Sequence, residues 1–243
     1  MNIILRIQRF NPETDDAPYY RDYPVDAKGS DRVLDAILYV KQHMDSTLAV
    51  RKSCAHGVCG SDAMRINGTE RLACKTLVKD VAARDGSVVT LEPLKSMPVQ
   101  RDLMVDQESF FDKYRSVKPF LIPALAPEGR EQVQTPQQRA RFDDPTKCIL
   151  CGACYSACPV LSEKNPRFIG PAAVLSGARF VFDSRDMGIG ERLDALDALD
   201  GAWACENHFN CTKVCPRGIK VTKSINETKR AISNYREIDH QAV

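Results

Sequence analysis

Ile3, Leu5 and Ile7 alternate with polar residues at the start of the chain, the period of a strand with one buried face, and Asn11-Pro12 ends the run. From Asp31 the period changes. Val33, Leu34, Ile37, Leu38 and Lys41 follow helical spacing to about His43, with Ser30 or Asp31 as N-cap. Alternation returns around Asn67-Gly68, a dipeptide that accepts positive φ at both centres of a type I′ turn, with Met64, Ile66, Leu72 and Cys74 on the arms of the hairpin. Ser87 to Leu91 supplies a further strand. Strands and one helix in this order predict an α+β domain of about 100 residues.

Between Pro119 and Pro136 the pattern lapses into four prolines and a polar run, Glu128 to Gln134, which suits an exposed connector. The predicted organisation is therefore residues 1–118, a linker 119–135, and a second domain 136–243. Thr135-Pro136 reads as an N-cap with proline at the first helical position. Pro171 to Asp183, Glu191 to Leu199 and Thr222 to Ser233 also carry helical patterns, so the second domain is expected to be all-α.

Composition narrows the function. A formal net charge of +2 on 243 residues gives no electrostatic basis for binding nucleic acid. No apolar run approaches the roughly 18 residues needed to cross a bilayer, and Arg6 and Arg9 interrupt the N-terminus where a signal peptide would stay apolar. In a chain of this size that stays inside the cell, ten cysteines are expected to be reduced and available to metal rather than paired in disulfides.

Their spacing is specific. Cys148-x2-Cys151-x2-Cys154-x3-Cys158-Pro159 is the complete bacterial ferredoxin run, in which three thiolates wrap one cubane and the fourth reaches a second cluster. Cys205-x5-Cys211-x3-Cys215-Pro216 repeats it with His208 at the middle position. Crossing the fourth ligands gives Cys148, Cys151, Cys154 and Cys215 for [4Fe–4S], and Cys158, Cys205 and Cys211 for a second cluster with three thiolates, expected to be [3Fe–4S]. His208 is either a ligand to a fourth iron or a neighbour of the cluster, and a single histidine beside a cluster is more often the latter. Structural zinc, the competing use of Cys-x2-Cys pairs, gives no reason for the interleaved proline-terminated runs.

In the N-terminal domain Cys54-x4-Cys59 with a distant Cys74 follows plant-type spacing, but Asp62 stands where the third cysteine belongs. A carboxylate can bind iron in a thiolate's place, so [2Fe–2S] is expected on Cys54, Cys59, Asp62 and Cys74; the alternative is a solvated Asp62 with Ser61 or water completing the site. His56, Gly57 and Gly60 serve the loop, small residues letting backbone amides approach the sulfurs.

With these groups the chain resembles the iron–sulfur subunits of succinate dehydrogenases and fumarate reductases. The matching stretches are Arg9-Phe10-Asn11-Pro12, Arg51-Lys52-Ser53-Cys54 through Gly60-Ser61-Asp62, Leu72 through Lys75, Pro98 through Leu103, both C-terminal cysteine runs, and Phe168 through Ala172. The resemblance implies a β-grasp plant-type ferredoxin domain followed by a helical bacterial-ferredoxin-like domain. It also implies electron flow from FAD on a separate flavoprotein subunit through [2Fe–2S], [4Fe–4S] and [3Fe–4S] to quinone at a membrane-anchor subunit, on the cytoplasmic face of the inner (plasma) membrane. Nothing in the sequence offers a dicarboxylate site or flavin motif, so the chain is expected to be the conductor. At the quinone end the likeness weakens: Val160 to Lys164 after Pro159 lack the tryptophan of ubiquinone-reducing relatives, and Glu206 replaces a histidine common among them. Pro159 and His208 are the candidates for the quinone vicinity, menaquinone is as plausible as ubiquinone, and Trp203 is expected in the core. Quinol:fumarate reductase is the same machine run backwards. A different reductase built on ferredoxin modules, and a zinc-stabilised binding module, are the functions that compete with this one.

Overall fold

The opening alternation forms β1 (Asn2–Arg9), with Ile3, Leu5 and Ile7 buried. β1 pairs antiparallel with β2 (Tyr19–Asp26). The structure, a computed structural model, describes residues 1–123 and 131–241, with side chains of the last helix described to residue 235. β2 is absent from the sequence expectation because its first four residues are exposed and Pro24 interrupts the pattern; as an edge strand it tolerates the missing N–H. α1 (Val33–His43) buries Val33, Leu34, Ala36, Ile37 and Val40. Its N-cap is Arg32 rather than Ser30 or Asp31, because Asp31 accepts the Lys28 N–H (2.7 Å) while Asp35 accepts the Arg32 N–H (2.9 Å). Lys41 is not on the buried face: its Nζ donates to the Leu48 carbonyl (2.6 Å).

β3 (Ala63–Ile66) and β4 (Thr69–Leu72) form the expected hairpin, with Asn67 and Gly68 at φ of 50° and 77°. Cys74 lies beyond the end of β4, in the turn that follows the hairpin. β5 (Val88–Glu92) inserts between β1, to which it is parallel, and β3, giving the mixed order β2-β1-β5-β3-β4. β6 (Val99–Arg101) and β7 (Met104–Val105) make a separate small sheet. At its turn Asp102, with φ of 47°, accepts from Arg9 Nε (2.9 Å), Phe10 N–H (2.9 Å) and Ala49 N–H (2.7 Å). Arg9 also donates to Asp45 (2.5 Å), and both acids and the arginine are buried. Removing one partner of so buried a pair leaves an uncompensated charge, so this knot ties the first strand, the end of α1 and the second sheet together.

The chain forms two units, Met1–Gln107 with Ile149–Ala157, and Glu108–Cys148 with Cys158–Val243. The division differs from the expected one at both places. α2 (Glu108–Ser116), which the sequence pattern does not announce because only Phe110 is buried, opens the second unit. The connector after it is exposed at Phe120 yet pinned: Arg192 donates to the carbonyls of Lys118 and Phe120, Asp186 accepts the Ile122 N–H (2.9 Å), and Arg192 and Asp186 are a fully buried ion pair. Of the expected polar connector, residues 128–130 lie outside the described residues.

α3 (Pro136–Ala140) starts as predicted at Thr135, whose hydroxyl accepts the Gln138 N–H while the Gln138 side chain accepts the Thr135 N–H. α4 (Ala153–Ser156) belongs to the run that joins the first unit. α5 (Pro171–Val181) is buried from Pro171 through Ala178, which requires small residues: a methyl on Gly177 would stand 3.0 Å from Leu196. α6 (Ile189–Leu196) stops before Leu199, which is 92% exposed. α7 (Asn210–Lys213) is a single turn, and α8 (Val221–Gln241) packs on α5 with Val221, Ile225 and Ile232 inward. Among the described residues no helix is long and apolar enough to cross a membrane.

Candidate functional site

Of the first thiol grouping, Cys54 and Cys59 lie in the chain between α1 and the β3–β4 hairpin, and Cys74 follows the hairpin. Arg51 fixes the approach to it by donating to the Val105 carbonyl (2.7 Å) and the Gln100 side chain (2.8 Å). The chain then loops with positive φ at Ala55, Gly57 and Gly60. This geometry aims the backbone N–H groups of His56 (3.5 Å), Val58 (3.4 Å) and Cys59 (3.3 Å) at the Cys54 sulfur. Those amides, His56 first, pull the Cys54 thiol down to about 6, favouring the thiolate that iron needs. Gly57 cannot be larger, since an added Cβ would stand 2.4 Å from the aliphatic stem of Lys75.

Cys74 is buried, and burial, then the hydrogen bond and charge of Asp62, push its thiol up to about 12. Asp62 is only 2% exposed, so a solvated loop carboxylate does not describe it. Its Oδ2 accepts the Cys74 N–H (2.5 Å), while Oδ1 is buried without a hydrogen-bond partner. A buried acceptor with a vacant lone pair beside a thiol is what a mixed thiolate–carboxylate metal site requires.

In the ferredoxin run Leu150 and Gly152 take left-handed φ of 53° and 78°. Cys151 and Cys154 lie in the part of the run that groups with the first unit, and Cys148 and Cys215 in the second unit. Within the first unit Gly60 is packed so closely on Cys151 that a Cβ would lie 2.6 Å from the cysteine's own.

The third grouping is in the second unit, where Cys158, Cys205 and Cys211 line a hollow of about 20 Å³ together with Pro159, His208, Phe209 and Thr222. Asn207 and Phe209, both left-handed, curl the chain round it. Burial pushes the Cys158 and Cys211 thiols up, and the charges of their cysteine neighbours add to the effect, so three thiolates at this hollow need a positive counter-charge. Iron supplies one. Thr222 Oγ1 lies 3.4 Å from the Cys211 sulfur. His208 is on the wall, but its Nε2 is 3.0 Å from Glu206, which also pairs with Lys164 (2.5 Å). Among the described residues no three His, Cys, Asp or Glu groups close to single-ion spacing, as a structural zinc would ask.

Trp203 is not in the core: it is 42% exposed, its Nε1–H donates to Asp197 (2.7 Å), and Lys229, which donates to the Cys205 carbonyl (2.8 Å), sits over its ring. The sequence reading also misses Ser156 and Glu70, a buried hydrogen-bonded pair (2.8 Å), and the Arg9–Asp45–Asp102 knot. Only the Arg9 and Pro98–Leu103 stretches of the resemblance signalled the knot; nothing local signalled Ser156.

Residues 4–112 match the 2Fe-2S iron-sulfur cluster binding domain family and residues 144–219 the 4Fe-4S dicluster domain family. The chain is 42% identical over 235 residues to the fumarate reductase iron-sulfur subunit of Mycobacterium tuberculosis, covering 96% of this chain and 94% of that one. It is 40% identical over 226 residues to the succinate dehydrogenase iron-sulfur subunit of Coxiella burnetii, covering 92% and 94%. Among solved structures, a chain of the Mycobacterium smegmatis Sdh1 complex in the apo form superposes with a TM-score of 0.86 at 28% identity, over 97% of each chain. Two ferredoxin domains of these two types, joined in this order across nearly the whole length of such relatives, place the chain in the family of succinate dehydrogenase and fumarate reductase iron–sulfur subunits.

Proposed function

We propose that the chain is the electron-carrying subunit of a succinate:quinone oxidoreductase, with [2Fe–2S] on Cys54, Cys59, Asp62 and Cys74, [4Fe–4S] on Cys148, Cys151, Cys154 and Cys215, and [3Fe–4S] on Cys158, Cys205 and Cys211. When bound, the clusters supply one-electron carriers. The protein's part is to hold sulfur as thiolate and exclude competing ligands. The observation that carries the reading is the pairing of two incomplete sites: a buried, unpartnered Asp62 oxygen beside Cys74, and a hollow with three thiols whose histidine is engaged by Glu206. The first suits a complete cluster with a carboxylate corner, the second a cube lacking one iron.

In this reading electrons arrive from FAD on a flavoprotein subunit and leave to quinone, menaquinone or ubiquinone, at a membrane-anchor subunit near Pro159 and His208. The chain is then peripheral to the cytoplasmic face of the inner membrane. The purified complex should carry about nine irons per chain, as two, four and three, and its oxidised form should show the [3Fe–4S] signal in electron paramagnetic resonance. Succinate should drive quinone reduction. Four irons at the third site, or a complex inactive with succinate and quinone, would defeat the proposal. The fumarate reductase direction is the second reading, favoured by the relative from Mycobacterium tuberculosis; faster quinol-driven fumarate reduction than succinate oxidation would select it.

A further inference from the structure

Ser156 lies two residues after Cys154 and two before Cys158, and is 2% exposed. Its hydroxyl donates to Glu70 Oε1 (2.8 Å) and accepts the Lys95 N–H (2.8 Å). Glu70 is on β4, four residues before Cys74, and is itself only 7% exposed. A buried carboxylate and a buried hydroxyl each need a partner, and here each answers the other. At the opposite end of the same run two glycines mark close contact. Gly60, next to Cys59, has no room for a methyl against Cys151, and a Cβ on Gly152 would stand 3.2 Å from Met97 and 3.3 Å from Leu94. The close packing at Gly60 and Gly152 and the paired hydrogen bonds of Ser156 all help hold the run from Ile149 to Ala157 to the first unit. Dispersion contacts are weak and nearly direction-free; a hydroxyl bonded at both donor and acceptor fixes a register.

We infer that Ser156 is a positioning residue that, through Glu70 and Lys95, sets how closely Cys151 approaches the Cys59–Gly60 turn. This rests on the proposed reading, in which that turn and Cys151 carry ligands to successive clusters. With both clusters bound, one electron would pass from reduced [2Fe–2S] to oxidised [4Fe–4S], with no bond made or broken and no proton moved at these residues. Electron tunnelling falls steeply with separation. A slip of the run would therefore slow the hand-over without touching a ligand.

The test uses the native complex with Ser156→Ala, and with Glu70→Gln, which keeps an oxygen to accept from Ser156. Removing the buried hydroxyl should speed hydrogen exchange of the Lys95 amide about tenfold. Iron content should stay at the wild-type value. The reduced [2Fe–2S] signal, whose relaxation is quickened by the reduced cluster beside it, should saturate at lower microwave power in Ser156→Ala and near the wild-type power in Glu70→Gln. Faster exchange with unchanged saturation would show a merely structural pair and overturn the inference, as would a variant in which neither changes. Should Ser156→Ala fail to assemble, Glu70→Met breaks the Ser156–Glu70 hydrogen bond from outside the cysteine run and must lower the saturating power in the same way. A wild-type complex without both signals would instead overturn the functional reading beneath it.

Discussion

Cys54 in the first unit and Cys158 and Cys211 in the second solve the same problem by opposite means. Around Cys54 three backbone amides face the sulfur, and the thiol is pulled down to about 6 in a loop whose Cys59 is exposed. Around Cys158 and Cys211 the groups are buried and the thiols are pushed up. At Cys54 peptide dipoles hold the negative charge, whereas Cys158 and Cys211, like the buried Cys74 of the first site, depend on the charge of what is bound. The exposed Cys54–Cys59 loop should therefore tolerate loss of a sulfur better than the buried thiols.

Serine scanning breaks or sharpens that contrast, and has the largest expected effect. Cys211→Ser should abolish the [3Fe–4S] signal and quinone reduction, since a buried serine hydroxyl resists ionisation more than the thiol it replaces. Cys59→Ser, in the exposed loop, should retain a reduced but measurable [2Fe–2S] signal. Equal loss of both clusters, counted by iron analysis and resonance spectra, would remove the distinction between the sites.

The next effect concerns the frames that carry the two sites. Asp102→Ala takes from buried Arg9 one of its two carboxylate partners and releases the Phe10 and Ala49 amides on the way into the cysteine loop. Breaking a buried pair costs about 3–5 kcal/mol, enough to lower the melting temperature of the first unit by roughly 10 °C or more. Arg192→Met should do the same to the second unit through Asp186, whose pair is equally buried. Each substitution should destabilise its own unit first. Simultaneous melting of both units in calorimetry would contradict that.

What was legible in the sequence is written in short spacings. The ferredoxin run, the Asp62 position and the Asn67-Gly68 turn each depend on neighbours within a few residues. The Thr135–Gln138 capping box is equally local. What stayed hidden depends on partners far apart: Ser156 and Glu70 are 86 residues distant, and Arg9 and Asp102 are 93. Trp203 misled for a similar reason. Large aromatics usually go inward, but this one has a polar partner in Asp197 and a cation over its ring, so it rests on the surface.

Asp62→Cys should be milder than either serine variant. It gives the first site the full plant-type thiol set, so the cluster should assemble and its midpoint potential shift, because ligand type changes charge donation to iron. Asp62→Ala leaves the Cys74 N–H without its carboxylate and should lower cluster content. If Asp62→Cys loses the cluster or leaves the potential unchanged in a redox titration, the carboxylate is not a ligand.

The last effect, and the one that separates the two units by acid, comes from their buried carboxylates. Burial is the largest influence on Asp45 and pushes its carboxyl upward, but hydrogen bonds from Thr47, Tyr23 and Arg9 together outweigh it and hold the group well below its ordinary 3.8. Asp183 is lowered in the second unit by the same opposition of burial against Arg185. A folded-state value below the unfolded one means the unfolded chain binds more protons across that interval. Stability is then fully present above about pH 4 and drains as pH falls toward the folded value. Asp45→Asn should flatten the acid limb of the first unit alone, leaving that of the second to Asp183. Trp203, the single tryptophan, reports on the second unit, and circular dichroism of the sheet reports on the first. An acid titration followed by both should show the dichroism transition altered in Asp45→Asn and the Trp203 fluorescence transition unmoved; a shift of both together would mean that the two units unfold as one.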